Sequence, residues 1–319
     1  MARVLYYLAI GLIKTFQSLP LLWVAWIGRR AGALAYWLDV RHRRVAVRNL
    51  TQCFGGEKSP AQIRALAHEN FRRLGENYCS AIKTAAMTWA ELEPHVQFVH
   101  LERIARHRGD GHTGSCIAAI GHFGNFELYA RIGQAMPGFQ SATTYRALKQ
   151  PALNRLLQSV REQSGCLYFE RRTDGEALKV ALKERSLLLG LLADQHAGER
   201  GVGVPFLGHL CSTSAAPAVL ALRYHCPLHT GLCYRVGLAR WCIEAGDEIP
   251  TQEGGTARSV EAITADINRA FEAAVRRDPA NWFWVHNRWK PFRSRSARNP
   301  ASPATGHSAE ADQAMPLSG

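Results

Sequence analysis

The chain opens with two apolar runs, residues 4–13 and 19–28, separated by Lys14, Gln17, Ser18 and Pro20. One helix over residues 4–28 would be long enough to span a bilayer, but those polar side chains would sit near its middle and Pro20 would interrupt it. Helices lying in the membrane interface are therefore expected in preference to a single span. Residues 60–92 then repeat apolar side chains at helical spacing (Ile63, Leu66, Ala67, Phe71, Leu74, Tyr78, Ile82). Ser59-Pro60 supplies a cap and a first-turn proline, which predicts one long helix or a pair.

From residue 115 the pattern changes. Short β-rich runs at residues 116–120, 141–145, 166–169, 187–192, 229–236 and 241–243 alternate with helical stretches at 126–135, 151–164, 175–184, 215–224 and 260–277. Such alternation predicts an α/β fold, a sheet covered by helices. Residues 293–319 are rich in Ser, Ala, Pro and Gly, and a disordered tail is expected there. The expected organisation is a membrane-associated segment at 1–50, a catalytic domain at 51–292 and the tail at 293–319.

Composition adds a surface. The chain has 319 residues, 47% hydrophobic, with a formal charge of +13. Its first fifty residues set Arg3, Lys14, Arg29, Arg30, Arg41, Arg43, Arg44 and Arg48 against Asp39 alone. Basic residues interleaved with long apolar runs and with Trp23 and Trp26 favour an anionic lipid surface over nucleic acid, which is not expected as a partner. A cleaved leader is not expected, because the first run continues into Lys-Thr-Phe-Gln in place of a small-x-small site. The eight cysteines include no Cys-x-x-Cys pair and sit mostly in apolar segments, as small core residues in a reducing compartment do. His225, Cys226, His229 and Cys233 could supply zinc ligands, but strand alternation would send neighbours to opposite faces, so no metal is expected.

The candidate chemistry lies in Cys-Ile-Ala-Ala-Ile-Gly-His-Phe-Gly-Asn-Phe-Glu-Leu, residues 116–128. A His-x4-acid spacing is weak by itself: roughly one accidental match is expected here, and His307 with Asp312 is another instance. His122 differs in context, since it ends a predicted buried strand, where α/β sheets bind ligands. Five residues of ideal helix turn about 140°, so His122 and Glu127 meet only if His122 lies in a turn, which Gly124 and Asn125 permit. Glu127 would then orient the imidazole as a general base. The alternative, a satisfied core histidine beside a glutamate that favours a helix N-terminus, stays open on the residues alone. A covalent nucleophile is not expected, because Cys116 faces the core and no G-x-S-x-G elbow occurs.

Residues 121–128, Gly-His-Phe-Gly-Asn-Phe-Glu-Leu, resemble the signature block of the lysophospholipid-acyltransferase-like superfamily, specifically the bacterial lipid A late acyltransferases of the lauroyl/myristoyl type. Three more blocks agree in order: the Tyr-Arg segment and following helix at 143–157, the Asp-Gln and Val-Pro-Phe blocks at 191–208, and Asn-Trp-Phe-Trp-Val-His-Asn-Arg-Trp-Lys at 281–290. His196 and Leu207 depart from the pattern, which tends to an acid and to a second aromatic. Glutamate at 127 matches the lipid A branch, whereas the phosphoglyceride branch usually has aspartate.

The resemblance implies a mostly parallel central sheet flanked by helices, of the glycerol-phosphate-acyltransferase type, at the cytoplasmic face of the inner membrane. It implies transfer of a fatty chain from an acyl thioester, carried by acyl carrier protein or coenzyme A, to a hydroxyl of a lipid A precursor, with no other cofactor. Acceptance by another glycolipid or a lysophospholipid is the alternative, and a non-catalytic basic membrane-binding protein is a second. His122 and Glu127 would be catalytic, and the amides around Gly124 and Asn125, with Arg146, would meet the oxyanion. Tyr145, Arg146, Arg172, Asp194 and Gln195 would contact substrate, with Arg171 beside Arg172 on the same rim; arginines suit phosphate oxygens. Trp282, Trp284 and Trp289 are expected to pack or to lie at the membrane edge, and His286 to be structural.

Overall fold

A computed structural model describes residues 2–107, 114–136, 138–184 and 186–292. The tail expected at 293–319 lies outside the described residues, as does the decoy pair His307 and Asp312.

Four helices come first: α1 (Ala2–Ser18), α2 (Leu21–Leu38), α3 (Val40–Phe54) and α4 (Pro60–Thr84). The break between α1 and α2 falls at Pro20, as the polar interruption predicts, and no described helix is long and apolar enough to cross a membrane. The 60–92 pattern resolves into α4 and a short α5 (Trp89–Leu92), each opened by a reciprocal capping box, Ser59 with Gln62 and Thr88 with Glu91. Where α2 crosses α4, Gly28 and Gly32 meet Gly75: a Cβ on Gly32 would collide with the Phe71 carbonyl oxygen, and one on Gly75 with that of Gly28. The crossing also seals the fully buried Glu76 carboxylate, which takes hydrogen bonds from Arg29, Arg235 and the Ala239 amide. Arg29, counted among the membrane-facing cations by sequence, is thereby consumed inside the fold.

The remaining elements are β1 (Val96–Val99), α6 (Glu102–Ala105), β2 (Cys116–Ile120), α7 (Ile132–Ala135), β3 (Gln140–Tyr145), α8 (Pro151–Arg161), β4 (Leu167–Glu170), α9 (Gly175–Glu184) and β5 (Leu187–Leu192). They continue as β6 (Val202–Phe206), β7 (His209–Thr213), α10 (Ala216–Tyr224), β8 (Leu228–Gly237), β9 (Arg240–Glu248), β10 (Gln252–Glu253), β11 (Thr256–Ala257) and α11 (Val260–Arg277). Among the described residues, seven strands form one sheet in the order β1-β9-β8-β2-β5-β3-β4, with β8, β2, β5, β3 and β4 parallel and β9 turned back on β8 by a hairpin. The fold is thus α/β with a mostly parallel sheet. Strand β2 is central and buried on both faces, and its alternation sorts two cores: Ile117 and Ala119 join Leu187, Leu189, α10 and α11 on one face, while Cys116, Ala118 and Ile120 join Leu128, Ile132 and Leu188 on the other.

Several short elements escaped the sequence pattern, among them α6, β10 and β11. Strand β1 is a short edge, and the β6–β7 hairpin carries Pro205 and alternates too weakly to stand out. The stretch expected as a helix at 126–135 is a tight 3-10 turn over Phe126–Arg131 followed by the short α7.

Candidate active site

Strands β2 and β5 run parallel with Ile120 opposite Leu192, so residues two steps beyond each strand emerge side by side. Those residues are His122 and Asp194. Asp194 is fully buried, and its carboxylate accepts from the His122 backbone N–H at 2.7 Å, from the His122 ring Nδ1 at 2.8 Å and from the Trp282 indole Nε1 at 2.8 Å. Burial alone would raise the pKa of Asp194, but the attraction of the His122 ring in its protonated form and these hydrogen bonds outweigh it and hold the carboxyl below its ordinary value. A carboxylate only accepts, so Nδ1 carries the ring proton and the neutral ring keeps its lone pair on Nε2, which faces the side-chain amide of Gln195 at 3.2 Å. Gly121 makes this approach possible, since a Cβ there would meet the Phe123 ring and crowd the Asp194 carboxylate.

Glu127 does not fill the place expected of it. The 3-10 turn sends its carboxylate toward α8, where it pairs with the Arg161 guanidinium at 2.7 Å, and this carboxylate offsets the loss of solvent at Arg161 and raises the arginine's pKa. The residue bonded to the histidine ring is Asp194. Glu127 still stands in the same site, because it and His122, Phe126, Leu157 and Arg161 form the partition where two clefts meet.

The first cleft, about 350 Å³, runs along the sheet face over Ala118, Ile120, Ala142, Gly190 and Gly231 and reaches a rim with Tyr145, Arg146 and Arg171. The second, about 290 Å³, lies against α4 and α8 and is walled by Leu74, Tyr78, Ala81, Ile82, Val160 and Phe283. His122 borders both, its ring edge-on to Phe126 and tilted against Phe283. Burial pushes the Tyr78 phenol up to about 12, so it remains a neutral donor across the physiological range.

The other expected residues divide. Tyr145 and Arg146 reach the first cleft with His122; Arg172 does not line it, and its backbone N–H caps the Glu170 carboxylate instead. Arg171, the neighbour, lines the cleft and donates from Nε to Thr144. The Gly124 amide is not available to an oxyanion, because it donates to the Asn281 carbonyl at 3.1 Å. Gly124 is needed for its backbone: φ is +51°, and a Cβ would run into the Cys233 carbonyl. Asn125 is buried beside the second cleft, with its side-chain amide near Thr84 and its side-chain oxygen without a partner.

Three contributors were not assigned their roles by sequence. Trp282 and Trp284 are buried as expected, but Trp282 also donates to Asp194. Arg288, fully buried, donates to the backbone carbonyls of Gln195 and Ser212 and to the Thr213 hydroxyl, fixing the loop that carries Gln195. Arg161 gave no local signal, whereas the fixed spacing of Trp282 and Arg288 inside the 281–290 block could have marked them. Cys116 is buried with its thiol pKa raised by burial, which disfavours a thiolate nucleophile, and all eight cysteines are free.

A His–Asp pair with a buried carboxylate, at the C-terminal ends of parallel strands and where two apolar clefts converge, has the placement of an α/β enzyme's ligand site. Residues 1–291 match the family described as bacterial lipid A biosynthesis acyltransferase. The chain belongs to that family. It is 23% identical over 297 residues to the lipid A biosynthesis palmitoleoyltransferase of Escherichia coli strain K12, covering 90% of this chain and 91% of the relative. It is 25% identical over 304 residues to a lipid A biosynthesis acyltransferase of Haemophilus influenzae, covering 90% of each. A phosphatidylinositol mannoside acyltransferase of Mycolicibacterium smegmatis is 25% identical over 249 residues, 76% of this chain and 78% of that one.

Proposed function

We propose that this enzyme moves a fatty acyl chain from a thioester donor to a hydroxyl of a lipid A precursor at the cytoplasmic surface of the inner membrane, with His122 as general base. The observation that carries the reading is the His122–Asp194 pair at the junction of the two clefts. The acceptor hydroxyl displaces the Gln195 amide from Nε2 and gives up its proton as its oxygen attacks the thioester carbon. The imidazolium so formed is stabilised by Asp194 and returns the proton to the departing thiolate, so no acyl-enzyme forms. General-base assistance of this kind contributes on the order of 10² to 10⁴ in rate.

Arg146, on the rim of the first cleft, suits the developing oxyanion or a phosphate of either substrate, and Arg171 suits the phosphate role. The apolar walls of both clefts suit hydrocarbon chains. Exposed Tyr7, Leu8, Leu12, Trp23, Trp26 and Trp37 on α1 and α2, with Arg30 over Trp26, suit an anionic membrane face. The basic net charge suits an acidic acyl carrier protein, and no other cofactor is invoked.

The similarity to the mycobacterial mannoside enzyme favours one second reading, the same chemistry on another glycolipid. Purified enzyme given acyl carrier protein or coenzyme A thioesters with each acceptor, and products read by mass spectrometry, separates the two. An acylated lipid A precursor is expected, lost in His122→Ala. A His122→Ala enzyme with unchanged turnover would overturn the mechanism.

A further inference from the structure

On the same face of the sheet as the first cleft, directly across the strand pair from Ala118, the His229 side chain leaves β8 toward the turn after α6. Its Nδ1 lies 3.0 Å from the Gly246 carbonyl oxygen, which can only accept, so Nδ1 carries the proton and the lone pair is on Nε2. That Nε2 faces the Nε2 of His107 at 3.0 Å, and the Glu248 carboxylate, directly across the strand pair from His229, comes to 3.5 Å from His107 Nε2. All three donor atoms lie within 4.8 Å of one another.

We propose that His107, His229 and Glu248 bind a divalent transition metal, zinc being the best match. Two imidazole nitrogens on tetrahedral zinc, with bonds of about 2.0–2.1 Å, stand roughly 3.3 Å apart, so the observed spacing needs only a few tenths of an ångström of adjustment. The Gly246 carbonyl already supplies the outer hydrogen bond that fixes a ligating histidine's tautomer. Two imidazoles and one carboxylate are a borderline-soft donor set that selects zinc or cobalt over magnesium or calcium. His229 is fully buried and Glu248 half exposed, so the open fourth position faces solvent and takes a water. Arg106, which pairs with Glu248 at 2.8 Å, is exposed and swings into solvent as the metal takes the carboxylate. The site lies outside the His122 junction and joins the end of α6 to the β8–β9 hairpin, so its role is to brace that edge of the sheet. It does not depend on the acyl-transfer reading.

The test uses tag-free, chelator-stripped full-length protein titrated with Co²⁺ and then Zn²⁺. One equivalent of Co²⁺ should give tetrahedral d–d absorption in the visible without thiolate charge-transfer bands, and Zn²⁺ should displace it and raise the thermal midpoint. His107→Ala should abolish the bands, and Glu248→Gln, at an exposed position that leaves the fold intact, should weaken binding on the order of 10- to 100-fold. No visible bands in the wild type, thiolate bands, or binding unchanged in both variants would each overturn the proposal.

Discussion

His122 and Asp194 each lie two residues past the last paired rung of adjacent parallel strands, and two hydrogen bonds donated to one buried carboxylate fix both the backbone and the ring of the histidine. Asp194→Asn keeps the shape but supplies an amide that can take either role, so the ring loses its enforced tautomer and its counter-charge. Turnover should drop on the order of 10³- to 10⁴-fold with KM little changed. Steady-state kinetics beside a circular dichroism control decide it; an Asp194→Asn enzyme within tenfold of wild type would remove Asp194 from the mechanism.

Glu127 and Arg161 act as one unit at the partition of the clefts, a half-buried bidentate pair. Breaking it from either side leaves an uncompensated charge, so Glu127→Gln and Arg161→Gln should each impair kcat/KM, and the double variant should be no worse than the poorer single. A coupling of about 1 kcal/mol or more is expected from the double-mutant cycle. Strictly additive losses would mean that Glu127 works through another partner, the histidine among them.

Much of this architecture was legible because it follows from patterns of period two and near four. The strands β2 and β5 and the helices α9 and α11 occupy the residues their patterns marked. The candidate site was legible in its residues but not in its pairing. His122, Glu127, Asp194 and Gln195 could all be singled out, yet proximity along the chain drew Glu127 to His122, while the sheet brings Asp194 from 72 residues away. Register between two parallel strands is a long-range fact, set by packing on both faces, and no local spacing reports it. The same limit hid Arg161, which reaches Glu127 only once α8 has docked.

The close crossing of α2 and α4 depends on side chains that are absent. Gly75→Ala gains about 1 kcal/mol of intrinsic helix propensity but drives a methyl into the Gly28 carbonyl, and overpacking of this kind costs about 1–3 kcal/mol. The thermal midpoint should fall. Gly11→Ala in α1, where a Cβ meets nothing within 4 Å, is the control and should hold or raise it. Equal midpoints for the two variants would show that the crossing relaxes freely.

Burial lowers the pKa of His286 to about 4, below its ordinary value of 6.5. The unfolded chain therefore binds more protons than the folded one between these values, so stability falls as pH drops from about 6.5 to about 4 and this contribution is flat outside that window. The loss attributable to His286 is at most about 3 kcal/mol, less as water reaches the ring. His286→Asn should show a shallower decline across this window in denaturant titrations. Parallel curves for variant and wild type would assign the acid sensitivity to other groups.

Ala118 sits on the floor of the first cleft, opposite Gly190 on β5, where small side chains leave the sheet face bare. If an acyl chain lies there, its length is read by the space those side chains leave. Ala118→Leu adds branched carbon to the floor and should shift preference toward shorter acyl thioesters. Each methylene denied burial costs about 0.8 kcal/mol, about fourfold in kcat/KM per carbon. Competition among thioesters of graded length, read by product mass, measures the shift. Because the second cleft is untouched by this change, acceptor KM should stay constant. An unchanged chain-length profile with a raised acceptor KM would instead give the first cleft to the acceptor lipid and the second, against α4, to the donor chain.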